Sequence, residues 1–333
     1  MTAARSEQSS TMNRAWLAQR PIRVGISSCL LGEAVRFDGG HRRDAFLTDT
    51  FGRFVEWLPV CPEVECGLGT PRESMRLVRE GDGVRLVTVK TGVDRTDRLI
   101  RYADDRVAQL AEQDLCGFVL KKDSPSCGME RVKIYGRGTA PTKSGRGLFA
   151  AMLADRCPDL PIEEEGRLSD PQLRDNFVER VFAYGRLRAL FGGRWNQGAL
   201  VRFHTAHKLT LMAHSPAAYR ELGRLVAQGP SLGRHDLKRQ YSQRFMGALS
   251  NIATRPRHAN VLQHMVGYIR EPLDRASKAE LLGAIDDYVR ELVPLVVPIT
   301  LMRHHVRVHD AAYLAGQVYL EPHPKELMLR NHV

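Results

Sequence analysis

The segment RVGISSCLLG, at residues 23–32, places Cys29 at the end of a short apolar run. Two later segments repeat this arrangement, with Cys61 in WLPVCPE and Cys127 in FVLKKDSPSCG. Short apolar runs of this kind predict buried strands, and the carboxyl ends of parallel strands open onto one crevice. The three thiols are therefore predicted to converge, although they lie far apart in the sequence.

Three converging cysteines predict a metal site. Structural zinc and cubane iron-sulfur clusters normally take four protein ligands, so a set of three leaves one position for substrate. Cys66 is a rival ligand, because Cys61 and Cys66 have the C-x4-C spacing of plant-type ferredoxins. The third cysteine of that pattern is missing. Cys116 and Cys157 lie outside the strand-end position, and we interpret them as buried or incidental thiols.

The pattern of elements changes near residues 158–171, where three prolines and an acidic run occur. Before this point apolar runs alternate with a helical pattern, and after it one helical pattern follows another. We predict a flexible tail at residues 1–20, an α/β domain at 21–165 and an all-α domain at 170–333. The α/β domain is expected to have a Rossmann-like parallel sheet with flanking helices, and Ser169 or Asp170 to start the first helix of the second domain.

The individual elements follow from hydrophobic periodicity. Strands are predicted in RVGISSCLLG, RFVEWLPVC, VRLVTV, CGFVLKK and RVKIYG. Helices are predicted at residues 95–113, 172–190, 201–213, 217–227, 260–270 and 278–293.

Positive charge is concentrated in the second domain. Residues 171–333 contain 23 Lys and Arg against 13 Asp and Glu, and residues 181–270 contain 14 basic but two acidic residues. Basic surfaces attract polyanions, and neutralisation of phosphates is the ordinary source of nucleic-acid affinity. The alternative is a solvated basic face without a partner.

The sequence lacks several signals of other classes. Neither a signal-peptide core nor an apolar stretch long enough to span a membrane is seen, so we expect a cytoplasmic protein with reduced cysteines and no membrane partner. Phosphate-loop and H-E-x-x-H zinc motifs do not occur. No protein partner is evident.

Three motifs then resemble a known family. SSCLLG-x3-RFDGGH at 27–41, VCPE followed by GTPRE at 60–73, and LKKDSPSCG at 120–128 are similar to the thiouracil desulfidase (TudS) family. The region from about 170 to 333 resembles the YbgA-type domain, and chains that join the two resemble the tRNA 4-thiouridine desulfidases (RudS). This resemblance implies that the chain removes sulfur from 4-thiouridine in tRNA, giving uridine and sulfide without net electron transfer.

The resemblance also implies roles for individual residues. Family members hold a [4Fe-4S] cluster by three cysteines, which correspond to Cys29, Cys61 and Cys127. The catalytic glutamate and serine of the family correspond to Glu63 and Ser124. Family members generally lack a cysteine at the position of Cys66, which argues against that residue as a ligand.

The helical domain is expected to contact tRNA phosphates without reading sequence. The candidate RNA-binding residues are Arg202, His207, Lys208, Arg220, Arg234, Lys238, Arg239, Arg244, Arg255 and Arg257. Tyr219, Tyr241 and Phe245 are candidates for stacking on exposed bases.

Two alternatives remain open from the sequence. The substrate could be free thiouracil or thionucleosides, with the helical domain binding something else. The protein could instead be a non-enzymatic nucleic-acid-binding protein with structural zinc or a redox-sensing cluster.

Overall fold

A computed structural model of the chain describes residues 21–136, 140–269, 271 and 273–333. The tail predicted at residues 1–20 lies outside these residues. The described residues divide into two compact units, 22–169 and 170–333.

The described part of the first unit contains eight strands: β1 Arg23–Ser27, β2 Glu56–Val60, β3 Met75–Glu80, β4 Gly83–Thr88, β5 Leu115–Leu120, β6 Val132–Tyr135, β7 Thr142–Gly145 and β8 Ile162–Glu164. Four of them form a parallel sheet in the order β2-β1-β5-β8. β5 is buried along its whole length, as is typical of parallel sheets covered on both faces. The parallel sheet expected from the sequence is thus confirmed.

Gly25 allows the central strands of this sheet to pack closely. A β carbon at this position would lie 2.2 Å from the ring of Phe118 on β5. Any side chain at residue 25 would therefore force that buried ring to move.

A second sheet was not anticipated. Its order is β4-β3-β6-β7, with β3 antiparallel to β4 and parallel to β6. The predicted strands VRLVTV and RVKIYG lie in β4 and β6 and therefore belong to this mixed sheet, not to the parallel one. Buried apolar residues from the sheet and from a neighbouring helix form a small core: Leu77, Leu86, Leu99, Val132 and Ile134.

Two α-helices in the described part of the first unit, α1 at Thr96–Glu112 and α2 at Leu148–Arg156, pack against each other. The predicted helix at 95–113 corresponds to α1. Its buried face carries Leu99, Ala103, Val107 and Leu110 at helical spacing. Ile100, next to the buried Leu99, is exposed, because adjacent residues point to different sides of a helix.

The second unit is helical. Its helices are α3 Pro171–Phe191, α4 Gln197–Ala206, α5 Lys208–His214, α6 Pro216–Ala227, α7 Arg234–Leu249, α8 Arg255–Tyr268, α9 Arg275–Val289, α10 Val296–Val308 and α11 Ala312–Ala315. Asp170 caps α3, since its carboxylate accepts hydrogen bonds from the N–H groups of Gln172 and Leu173. The predicted helix at 201–213 is divided into α4 and α5 at His207. No helix in the described residues is both long enough and apolar enough to cross a bilayer.

The interior of the second unit contains a buried polar network. The Oε2 atom of Glu179 lies 3.4 Å from Nε2 of His214 and 4.0 Å from Nη2 of Arg330. Nearby, Oδ1 of Asp175 lies 3.1 Å from Nε2 of His323. Burial disfavours a charged imidazole, but the hydrogen bond and the charge of Glu179 outweigh it and raise the pKa of His214.

Candidate active site

The parallel sheet brings the three predicted cysteines to one place. Cys29 lies in a single 3₁₀ turn directly after β1, Cys61 directly follows β2, and Cys127 lies in the turn region after β5. Because these three strands are neighbours in the sheet, their carboxyl ends meet at one edge. All three cysteines line a single cavity of about 330 Å³.

The three thiols are costly to ionise in this cavity. Burial, together with the nearby Cys61, raises the pKa of Cys29 to about 11, although Lys121 and Arg36 act in the opposite direction. Burial also raises the pKa of Cys61, and it raises that of Cys127 well above its ordinary value. A bound cation would compensate this cost, since thiolates rather than thiols are metal ligands.

The loop that carries Cys127 is held by Ser124. The Ser124 Oγ atom accepts hydrogen bonds from the N–H groups of Ser126 at 3.2 Å and Cys127 at 3.1 Å. The loop also packs tightly on the chain before α2, where a β carbon at Gly147 would lie 2.5 Å from the backbone of Ser126. Ser124 therefore acts as a turn-forming residue, and it also lines the cavity.

A neighbouring carboxylate holds the loop of Cys61. Oε1 of Glu65 accepts the N–H of Cys61 at 2.7 Å. Its other oxygen accepts the hydroxyl of Tyr102 at 2.5 Å and lies 3.2 Å from Nε of Arg106, both on α1. Glu65 thus links the Cys61 loop to α1.

Glu63 lines the same cavity and is fixed at both oxygens. Oε2 accepts hydrogen bonds from Nη2 of Arg72 at 2.6 Å and Nε of Arg72 at 2.9 Å. Oε1 accepts the hydroxyl of Ser126 at 2.9 Å. Ser126 is completely buried, and the side chains of Arg72 and Glu63 are 8% and 14% exposed. Both bonds from Arg72 end on one oxygen and the bond from Ser126 ends on the other, so the carboxylate is held in a fixed orientation.

Arg72 and Ser126 are two site residues that the sequence does not single out. Both lie inside the quoted motifs, Arg72 in GTPRE and Ser126 in DSPSCG. Their shared contact with Glu63 depends on the tertiary structure, because Glu63 and Ser126 are 63 residues apart. Position within a motif was the only available signal.

The cavity also has basic and aromatic residues. The guanidinium carbon of Arg36 lies 5.5 Å from the ring centroid of Phe37, which is 39% exposed. Arg42 and Lys122 also line the cavity. Lys121 pairs with the carboxylate of Glu165, so its charge is already balanced.

The other cysteines lie outside the cavity lining. Cys66 packs against the core of the second sheet, and its Sγ atom donates to the carbonyl of Glu63 at 3.3 Å. Cys116 is buried in β5, and Cys157 follows the last residue of α2. The structure thus separates Cys29, Cys61 and Cys127 from the remaining thiols, as the sequence predicts.

Three thiols around one cavity are a donor set that iron-sulfur clusters use. Among the described residues, no group of three or more His, Cys, Asp or Glu side chains is spaced to hold one metal ion. In an iron-sulfur cluster each cysteine binds a different iron atom, so the ligands surround the cofactor at a greater separation. Three thiols around one cavity fit that arrangement.

The candidate RNA-binding residues differ in exposure. Arg202, Arg220, Arg234, Lys238, Arg239 and Arg244 are exposed, whereas Lys208, Arg255 and Arg257 are half-buried. Several have local partners. Arg234 stacks on Trp195, with its guanidinium carbon 5.0 Å from the ring centroid, and Arg239 pairs with Asp236 at 3.1 Å.

Other basic candidates are anchored by backbone carbonyls. Nη1 of Arg255 donates to the carbonyl of Tyr288 at 3.1 Å, and Nη1 of Arg257 donates to that of His214 at 2.8 Å. These two arginines therefore have structural contacts in addition to their charge.

His207 does not belong with the exposed cations. It is 2% exposed, its ring stacks on Phe203, and burial lowers its pKa to about 3. A neutral imidazole carries no charge for a surface phosphate, which corrects the phosphate contact expected from the sequence. Tyr241 and Phe245 are likewise fully buried in the core, which corrects their assignment to base stacking, while Tyr219 is half-buried.

Two family models match the chain. The first, described as 2-thiouracil desulfurase, matches residues 24–165, and the second, described as a protein of unknown function (DUF1722), matches residues 208–324. The chain is 36% identical over 160 residues to the uncharacterized protein YbgA of Escherichia coli (strain K12), a match that covers 47% of this chain and 94% of YbgA.

Two further relatives match a smaller share of the chain. The uncharacterized protein YbbK of Bacillus subtilis (strain 168) is 27% identical over 133 residues, which are 38% of this chain and 87% of YbbK. A solved structure of the [4Fe-4S]-dependent thiouracil desulfidase TudS is 33% identical, with a TM-score of 0.37, and the match covers 44% of this chain and 93% of that chain.

Proposed function

Because the chain belongs to the YbgA family and carries a 2-thiouracil desulfurase domain at residues 24–165, we propose that it is a desulfidase that acts on 4-thiouridine in tRNA. The products are uridine and hydrogen sulfide. The observation that carries this proposal is the meeting of three cysteines and an oriented carboxylate, Glu63, around one cavity.

In this proposal Cys29, Cys61 and Cys127 hold a [4Fe-4S] cluster through their thiolates. Such a cluster, when bound, supplies a thiophilic Lewis acid that polarises the carbon-sulfur bond of a thiocarbonyl. The raised pKa values of the three thiols fit a site in which bound metal, not solvent, stabilises the thiolates.

Glu63 is the proton carrier of the reaction. Its carboxylate takes a proton from the water that attacks the thiocarbonyl carbon, and the oxygen of that water becomes the carbonyl oxygen of uridine. The sulfur leaves with two protons in total as hydrogen sulfide, so no net electrons are transferred. Arg72 and Ser126 act as positioning residues, because they fix both oxygens of Glu63 without reacting.

Ser124 binds and orients the reactants. Its Oγ atom accepts two backbone N–H groups, which leaves the hydroxyl proton to donate to the substrate or to the attacking water. Phe37 is placed to stack on the base, and the neighbouring basic residues suit the attached phosphates. A base in folded RNA has to leave its stack to enter such a cavity.

The helical unit supplies affinity for the tRNA backbone. Its exposed arginines and lysines offer phosphate contacts that position the substrate without reading its sequence. Free thiouracil and free thionucleosides would bind only to the cavity lined by the three cysteines. Turnover of these free compounds is the alternative to the proposed specificity for tRNA.

The test compares substrates on the full chain. Anaerobically purified protein is given one of three substrates at equal concentration: tRNA that contains 4-thiouridine, the free nucleoside 4-thiouridine, or free 2-thiouracil. Sulfide release is measured for each. We expect kcat/KM to be highest for the tRNA. Equal or higher values for the free compounds would support the alternative substrates, and no sulfide from any of them would remove the enzymatic account.

A further inference from the structure

The loop that carries Cys127 spans residues 121–130, between β5 and β6. The middle of this loop is closed by its own contacts, since the N–H of Gly128 donates to the carbonyl of Ser124 at 2.8 Å. The two ends of the loop are held by another part of the chain. The residues that hold them lie at the end of β8, the strand that pairs with β5 at the edge of the parallel sheet.

Glu165 holds the beginning of the Cys127 loop. Its Oε2 atom accepts the N–H of Lys122 at 2.8 Å, and its Oε1 atom pairs with the ammonium group of Lys121. The side chains of Glu165 and Lys121 are 11% and 15% exposed, so this ion pair is largely shielded from water. The backbone N–H of Glu165 also donates to the carbonyl of Leu120 at 3.2 Å, which continues the pairing of β8 with β5.

Glu164 holds the end of the same loop. Its Oε1 atom accepts the N–H groups of Met129 at 2.6 Å and Glu130 at 3.5 Å. Glu164 is buried, and a buried carboxylate is costly unless donors satisfy it. Two neighbouring carboxylates, one on each side of the end of β8, therefore fix both ends of the loop.

The backbone of the Cys127 loop needs such support. Asp123 has a φ of 59°, and Arg131, directly after the loop, also has a φ of 59°. These values lie in the left-handed region, which is unfavourable for residues other than glycine and persists where surrounding contacts fix it. Each left-handed residue directly follows a residue whose N–H is held by a carboxylate, Lys122 in one case and Glu130 in the other.

We propose that Glu164 and Glu165 are positioning residues of the active site, which keep the Cys127 thiol and the Ser124 hydroxyl at the cavity by fixing the two ends of their loop. Neither carboxylate belongs to the cavity lining, so both act through the loop. The consequence for iron retention rests on the proposed function, whereas the consequence for the position of the thiol does not.

Alkylation of the full-length protein without iron tests the proposal. Cys127 is buried, so iodoacetamide reaches its thiol only when the loop opens. We expect Glu164→Ala and Glu165→Ala each to raise the alkylation rate of Cys127 at least about tenfold, because each change removes hydrogen bonds that close the loop. Mass spectrometry of peptides gives the rate for each thiol. Cys116, buried in β5, is the internal reference, and its rate should not change.

Two control variants separate loop positioning from general stability. Glu164→Gln keeps an oxygen that can accept both N–H groups, so its Cys127 should react at the rate of the unchanged protein. Glu73→Ala removes a carboxylate that accepts two backbone N–H groups in another turn of the same unit, and it should also leave Cys127 unchanged. An unchanged rate of Cys127 in both Glu164→Ala and Glu165→Ala, or an equal rise for Cys116 and Cys127, would overturn the proposal. A rate in Glu164→Gln as high as in Glu164→Ala would also contradict it.

Iron release from the loaded protein gives a second measurement. Residues that orient metal ligands typically change metal affinity 10- to 100-fold when they are replaced, so a chelator should remove iron at least about tenfold faster from Glu164→Ala and Glu165→Ala than from Glu73→Ala. An unchanged protein that binds no iron would refute the cluster, while faster alkylation of Cys127 would still support the role of the two carboxylates. Equal rates of iron release in all three variants would overturn that role.

Discussion

The two units of the chain arrange their polar groups in different ways. In the first unit, Glu63, Arg72 and Ser126 hold one another at hydrogen-bond distance beside three cysteines. In the second unit, the charges divide between exposed side chains on helix surfaces and a buried network around Glu179. Chemistry needs groups fixed by the backbone, whereas affinity for phosphates tolerates mobile charges on many positions.

Histidine distribution shows the same contrast. His41 is the single histidine of residues 22–169 and is exposed, whereas the second unit buries six histidines, among them His204, His207 and His258. The interior of the helical unit is therefore the part of the described chain in which protonation competes most directly with folding.

The largest effect should come from the cysteines of the first cavity. Replacing Cys29, Cys61 or Cys127 by alanine removes one of three proposed ligands, so each variant should lose the brown cluster colour and all activity. The matched changes at Cys66, Cys116 and Cys157 should keep both, because these thiols lie outside the cavity lining. Visible absorption and sulfide release measure the outcome, and full cluster loading in any of the first three variants would refute the ligand set.

Glu63→Gln should separate chemistry from cluster binding. The amide keeps the size of the side chain but cannot take a proton, so turnover should fall roughly 10²- to 10⁴-fold with cluster absorption unchanged. Glu73→Gln is the control, because Glu73 is half-buried outside the cavity lining and accepts a hydrogen bond from the hydroxyl of Thr91. Turnover of Glu63→Gln within a few-fold of the unchanged protein would show that another group carries the proton.

Charge reversal in the helical unit should act on affinity alone. Arg220, Lys238 and Arg244 are exposed and lie within the basic region. Changing each to glutamate should weaken tRNA binding and lower the slope of log affinity against log salt by about 1 per lost contact, without changing cluster content. Lys278→Glu, in an exposed position outside that region, serves as the control. If the triple variant bound tRNA like the control, the basic surface would have no role in RNA binding.

Lowering the pH should destabilise the second unit before the first. Burial, with smaller contributions from neighbouring charges, lowers the pKa of His204 to about 4 and those of His207 and His258 to about 3. Below the ordinary value of about 6.5 the unfolded chain binds protons that the folded unit does not, so stability is lost as pH falls, by up to about 1.4 kcal/mol per pH unit for each histidine.

His214 has the opposite sign, because its raised pKa adds stability that is lost only as pH rises. The net effect below pH 6.5 is therefore a loss. Hydrogen exchange, corrected for intrinsic rates and followed from pH 7 to pH 5, should show protection falling in residues 170–333 but not in 22–169. Equal loss in both units would contradict the assignment to buried histidines.

The convergence of the three cysteines could be predicted from the sequence, whereas the contacts of Glu63 and the burial of residues in the helical unit could not. Cys29, Cys61 and Cys127 follow apolar runs, and parallel strands necessarily bring their carboxyl ends together. The contacts of Arg72 and Ser126 with Glu63 depend on loop geometry that no local pattern encodes. The burial of His207, Tyr241 and Phe245 could not be predicted, because a count of basic and aromatic residues does not show which side of a helix faces the core.

Metal analysis of anaerobically purified protein tests the central claim most directly, because the account depends on a cluster held by three cysteines. Iron and acid-labile sulfide should each be present at about four per chain, as expected for a [4Fe-4S] cluster, and both should disappear in Cys61→Ala but not in Cys66→Ala. Stoichiometric zinc without labile sulfide would contradict the account.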